Sequence, residues 1–166
     1  VMMTSMIIVC QFTLCTFVAF AFARFEFPFK NFLFALVLLQ LLIMPDILIV
    51  ENYKTIRFLG IMDTILAIGL PYMASGFGIF LLRQTFMSIP KELDDAAKID
   101  GAGVLRVIWN VYIPLSIPTF VAYGLVSVSF HWNNFLWPLI ITNSVETRPL
   151  TVGLSIFSMS EAGVEW

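Results

Sequence analysis

The sequence predicts an all-α membrane protein, a polytopic helical bundle, on three observations. First, the 166 residues are 60% hydrophobic and only 12% charged, with a mean hydropathy of +0.94. A soluble domain is roughly 45–50% apolar and about 25% charged, so a water-soluble globule could not hide this much apolar surface. Second, the charges fall in clumps. Third, the uncharged runs between clumps approach the roughly 20 residues a helix needs to cross hydrocarbon. The same composition excludes disorder and disulfide scaffolds. A net charge of −2 gives no footprint for nucleic acid.

Taken in order, residues 1–23 carry no charge and form the first expected span. Residues 32–50 form the second, with Asp46 after Pro45 near its end. Residues 64–82 lie uncharged between Asp63 and Arg83 and form the third. The stretch 107–145 is uncharged with His131 neutral, but Pro114, Pro118 and Pro138 interrupt it. It predicts a fourth helix over 115–133 and an irregular extracytoplasmic loop over 134–155. Lys and Arg mark the cytoplasmic side. Arg24, Lys30, Arg83, Lys91, Lys98 and Arg106 lie on one side, against Lys54, Arg57 and Arg148 on the other. The loop 84–112 is therefore expected in the cytoplasm and both chain ends outside. With Val at its start and no leading loop, the chain is expected to be part of a longer protein, truncated at both ends.

Several chemistries lack their residues. A nucleotide P-loop needs GxxxxGK[ST] to cradle phosphates, and no Gly here is followed by Lys. The one histidine, His131, has no HExxH and no paired carboxylate, so no metal site is expected. No GxSxG elbow supplies a nucleophile. Cys10 and Cys15 lie in an apolar run without CxxC spacing and read as small buried hydrophobes. Asp46 and Asp63 sit near span ends; they read as solvated interfacial carboxylates or, in a secondary transporter, as an ion relay. No catalytic residues and no enzymatic activity are expected.

The most informative segment runs from Ser88 to Gly103 in the cytoplasmic loop. Pro90 suits the first turn of a helix, and Glu92, Asp94 and Asp95 favour its positive end. Gly101 suits the left-handed stop, after which an apolar pattern resumes towards Pro114. Leu93, Ala96 and Ala97 share one face; Lys91, Asp95 and Lys98 lie on a neighbouring one. Small apolar side chains beside charges let a partner approach closely. A helix lying on lipid would instead carry bulky apolar residues and a basic face.

Asp95-Ala96-Ala97, three residues, Gly101, nine residues, then Val111-Tyr112-Ile113-Pro114 resembles the EAA loop of binding-protein-dependent ABC importer permeases. Asp95 stands for the usual Glu, Val111 for Ile and Ile113 for Leu; Asp100-Gly101-Ala102 is also typical. Ala23–Pro28, Phe77–Gln84, Ser88–Leu93, Trp132–Leu139 and Arg148–Leu154 are similar to the carbohydrate-type permeases, the maltose and glycerol-3-phosphate kind. The resemblance implies the type I ABC importer transmembrane fold with about four of six helices present. It implies a transport subunit for a sugar, polyol or glycerol phosphate in the inner (plasma) membrane. The implied partners are an ATPase dimer using ATP and Mg²⁺, a second permease subunit and an extracytoplasmic solute-binding protein. Glu92, Asp95, Ala96, Ala97, Asp100, Gly101 and Pro114 would then form the ATPase-coupling joint. An ABC permease for another small solute such as an amino acid, or an ion-coupled secondary transporter, stays open as an alternative.

Ser116, Thr119, Tyr123, Ser127 and His131 recur every three or four residues and form a polar stripe on the fourth helix. The hydroxyls suit the path of a sugar; interhelical hydrogen bonding is the other reading. Trp132, Trp137 and Tyr53 are expected in aromatic interface belts. Asn143, Glu146 and Arg148 are candidates for contact with the binding protein.

Overall fold

The computed structural model describes residues 2–144 and 148–154, which hold helices and turns and, among the described residues, no strand. Helix α1 (Met2–Arg24) is long and apolar enough to cross a membrane as one piece. Three further apolar segments are each a pair of helices with a short break. The described residues thus give one crossing, or up to four if each broken pair counts as one.

Each break lies at or close to a proline, which lacks a backbone donor. The expected second span ends at α2 (Lys30–Leu39) and a 3₁₀ turn over Gln40–Leu42. Met44 is extended ahead of Pro45 (φ −66°, ψ 131°), as the proline ring demands of its predecessor. A second 3₁₀ turn, Pro45–Leu48, then leads into α3 (Ile49–Phe58), which carries Glu51, Lys54 and Arg57. The 32–50 run is therefore interrupted between Leu42 and Pro45 instead of forming one straight helix.

The third region is also divided. Thr64 caps α4 (Ile65–Gly69) by accepting from the Ala67 N–H at 3.1 Å, and Pro71 lies in the 3₁₀ turn that follows. Ser75 caps α5 (Gly76–Ser88) in the same way through the Gly78 N–H at 3.2 Å. These are the N-cap bonds that short hydroxyl side chains make to otherwise unpaired donors.

Helix α6 (Glu92–Ile99) follows, then α7 (Val104–Val107), a π-helical turn over Ile108–Tyr112, and α8 (Ile113–Leu115). The chain leaves the helix at Ser116 (φ −105°, ψ 8°), and α9 (Ile117–Trp132) opens with Pro118 in its first turn. Where irregular chain is expected, α10 (Leu136–Ile141) forms, with Pro138 tolerated in the first turn.

Residues 10–43 and 74–126 make one compact unit. Its core joins Cys15, Ala19 and Phe20 of α1 to Leu82 and Phe86 of α5 and to Val107, Ile108 and Tyr112. The Tyr112 ring meets Phe20 and Phe86 edge to face, with centroids 4.9 and 5.1 Å away, the geometry favoured by ring quadrupoles. The described residues of 1–9, 44–73 and 127–166 make the other unit, around Ile56, Ala67, Ile68, Trp137 and Ile141. Trp137 is buried there and its indole N–H donates to the Ile68 carbonyl at 3.2 Å. It does not belong to an interface belt, because α10 turns it into this core. Trp132 is 45% exposed.

Candidate functional site

Helix α6 has two unlike sides. Glu92, Asp94 and Asp95 crowd its first turn, where unpaired N–H groups favour anions. Its far end closes on Gly101, whose φ of +72° is the left-handed conformation that costs glycine least. The Gly101 N–H donates to the Lys98 carbonyl at 3.0 Å and the Ala102 N–H to the Ala97 carbonyl at 2.9 Å. That pair of bonds satisfies the carbonyls a helix end leaves open. A Cβ at Gly101 would meet nothing within 4 Å, so conformation rather than space selects glycine.

Glu92, Asp95, Ala96 and Asp100 are exposed on α6 and at its end, as are Leu93 and Ile99. Asp95 pairs with Lys98 across one turn at 3.2 Å, both side chains about 70% exposed. Such a pair in water contributes little and leaves both charges accessible. Ala97 is turned inward against the core of its unit, and Pro114 is exposed in α8.

The inward side carries what sequence reasoning missed. Arg24, on the last turn of α1, reaches Asp94 with Nε 3.1 Å from Oδ2; their side chains are only 7% and 14% exposed. Its Nη2 donates to the Ile89 carbonyl at 2.6 Å, and Nε also donates to the Tyr112 hydroxyl. Tyr112 in turn donates to both Asp94 oxygens, at 2.6 and 2.8 Å. A buried charge survives only when paired and hydrogen-bonded, and this cluster provides both. The available signal was the Asp94–Ala97 spacing, which puts both on the inward face. Arg24, 70 positions from Asp94 in sequence, gives no local clue. On the same unit Arg83 lies over the Phe34 ring, 4.0 Å from its centroid.

The polar stripe of α9 is largely enclosed. Ser116 and Tyr123 are buried, and so is Ser127. The Thr119 and Thr85 hydroxyls lie 2.9 Å apart, and Tyr123 donates to Gln11 Oε1 at 3.0 Å. Tyr123 also closes over Gly78, where any Cβ would overlap its ring. His131 is buried beside Tyr72, with ring centroids 5.0 Å apart.

Asp63 is a loop tie, with φ of +59°. Its Oδ1 accepts from the Asn143 N–H at 2.9 Å and the Ser144 N–H at 3.1 Å, while its own N–H donates to the Ile141 carbonyl. Asp46 is exposed in a 3₁₀ turn. The Asn143 side chain is exposed; Glu146 lies outside the described residues. Arg148 lines a cleft of about 290 Å³ with Thr4, His131, Trp132 and Thr151, and its Nε finds no hydrogen-bond partner among the described residues.

Apolar helices able to cross a membrane, one whole and three as broken pairs, together with an exposed, glycine-stopped helix, fit a subunit of the membrane permease class. Residues 2–162 match the family described as binding-protein-dependent transport system inner membrane component, and the chain belongs to that family. The sn-glycerol-3-phosphate transport system permease protein UgpE of Yersinia pestis bv. Antiqua (strain Antiqua) is 36% identical over 132 residues. That alignment covers 79% of this chain and 47% of the relative. The UgpE protein of Agrobacterium fabrum (strain C58 / ATCC 33970) is 34% identical over the same shares. The chain thus spans about half the length of the curated relatives it matches. A solved bacterial ABC transporter involved in the import of the acidic polysaccharide alginate superposes with a TM-score of 0.85 at 24% identity, over 98% of this chain and 57% of that one. The fold is that of type I ABC importer transmembrane domains.

Proposed function

We propose that this chain is part of a permease subunit of an ABC importer and is not itself an enzyme. With a second permease subunit it forms the path of a sugar, polyol or glycerol phosphate across the inner (plasma) membrane, and a solute-binding protein delivers the solute from outside. The named relatives are permease proteins of sn-glycerol-3-phosphate transport systems, which supports that solute class. ATP and Mg²⁺ act in a separate ATPase, whose closure moves α6.

One observation carries this reading: Asp95 and Ala96 are exposed on a short helix ended by a left-handed glycine. Small side chains let the ATPase surface come close, Asp95 offers a charge to a basic partner, and Gly101 sets the elbow into the returning helix. Alternating access follows if the ATPase dimer binds α6 differently in its two states. The test is Asp95→Lys and Gly101→Pro in the complete transporter. Both variants are expected to insert in the membrane while losing ATPase co-purification and ATP-driven uptake. Normal uptake in both sinks the assigned joint.

For the polar stripe, the Thr119–Thr85 and Tyr123–Gln11 hydrogen bonds favour helix packing over a solute path. Cysteines at 116, 119, 123 and 127 are then expected to resist a water-soluble thiol reagent in both nucleotide states. Rapid labelling at those positions would restore the path reading. An ion relay is disfavoured at Asp63, because backbone N–H groups already occupy its oxygens.

A further inference from the structure

We propose that Arg24, Asp94 and Tyr112 form a positioning joint that makes α6 and the adjoining end of α1 move as one body. The proposal rests on reading α6 as the ATPase contact and adds how displacement of that helix reaches a membrane span.

The argument starts from how α6 is attached. At its start Ile89 is extended (φ −72°, ψ 129°), and at its end Gly101 is left-handed. Neither link is helical, so α6 is continuous with neither α5 nor α7. Ile89 is buried in the core of its unit, and Ala97 and Ala102 pack against that core, apolar contacts that fix no direction. The Arg24 guanidinium supplies the directional attachment. It binds Asp94 on α6, the Ile89 carbonyl in the leading link, and the Tyr112 hydroxyl in the π-helical turn after the loop. Tyr112 closes the triangle through both Asp94 oxygens.

One side chain on α1 therefore gathers the segment before α6, α6 itself, and the helix that returns from it. A planar, multi-donor guanidinium suits this; a lysine ammonium holds one carboxylate as a point charge. A buried ion pair is poor as a device for stability, since apolar residues of similar volume often do as well. Its directionality is what a mechanical joint needs. Tyr112 is fixed in addition by Phe20 of α1 and Phe86 of α5, so the joint is anchored in the core.

The test uses the complete transporter in proteoliposomes, measuring solute uptake and ATP hydrolysis together, with a cysteine at position 96 reporting cross-linking to the ATPase. Arg24→Met with Asp94→Leu removes the joint without leaving an unpaired charge. Expected is retained cross-linking, ATP hydrolysis within about twofold of normal, and uptake per ATP reduced by about tenfold, a typical coupling factor between sites. Arg24→Lys, which keeps the charge pair, is expected to recover part of that ratio. A normal ratio in the apolar pair, with cross-linking intact, overturns the joint while leaving the docking reading in place. Absent cross-linking in the unmodified complex overturns the docking reading and the joint with it. Should the apolar pair fail to assemble, Tyr112→Phe removes only the hydroxyl; a reduced ratio supports the joint and a normal one overturns it.

Discussion

Asp94 and Asp63 are both carboxylates beside apolar helices, and they are held by opposite means. Asp63 accepts from the backbone N–H groups of Asn143 and Ser144. Asp94 is held by two side chains, a guanidinium and a phenol. Backbone donors are neutral dipoles carried by any residue except proline, so the Asp63 tie fixes the course of a loop. The Asp94 attachment depends on which side chains stand opposite it, and it encloses a full positive charge. The first is an anchor for a turn; the second is a charge pair whose integrity decides how one helix holds another.

The largest expected effect separates these two. Asp94→Ala leaves the Arg24 guanidinium buried without its counter-charge, a loss of about 3–5 kcal/mol for a pair broken on one side. Thermal unfolding of the detergent-purified transporter measures it. Asp94→Asn retains an acceptor for both donors and is expected to lose less. If Asp94→Ala unfolds no more easily than the Asp63 variant, the distinction between a charge pair and a loop tie collapses.

Asp63→Ala comes next. It strips the acceptor from two backbone N–H groups, one of them on the exposed Asn143, where water replaces part of the loss. A cost of about 1–3 kcal/mol applies to buried donors left unpaired, and partial hydration puts this site at the lower end. Faster proteolysis over 142–144 is the sharper readout. Asp63→Asn keeps one acceptor oxygen and is expected to keep uptake. Loss of uptake in that variant would revive the ion-coupled alternative.

The sequence made the apolar segments and the α6–Gly101 unit legible because both rest on local physics. Uninterrupted hydrophobicity, an acidic first turn and a glycine stop are properties of neighbouring residues. What escaped notice depends on partners far along the chain. Asp94 read as one more acid at a helix start, and Arg24 as a cytoplasmic charge; only folding brings them to 3.1 Å. Trp137 departs from its expected place for a related reason: tryptophan favours membrane interfaces on average, yet here α10 gives its N–H a carbonyl partner in a core. The split of the 32–50 run was visible in Pro45, but an otherwise continuous apolar count concealed it.

The smallest expected effect tests the two sides of α6 at adjacent positions. A helix turns by about 100° per residue, so Asp94 and Asp95 cannot share a direction, and Asp94 is already committed inward. Asp95 points to solvent, and its bond to Lys98 joins two exposed side chains across one turn. An exposed pair of this kind contributes at most about 1 kcal/mol, because high-dielectric water weakens the attraction and side-chain entropy opposes it. Asp95→Ala is therefore expected to leave the unfolding temperature within about 1 °C of the unmodified protein, the scale set by surface substitutions. The same variant is expected to weaken ATPase association, and high salt should narrow the difference between variant and unmodified protein. Destabilisation matching that of Asp94→Ala would mean that Asp95 too is bound within the fold. The outward face of α6 would then hold no free carboxylate to offer an ATPase.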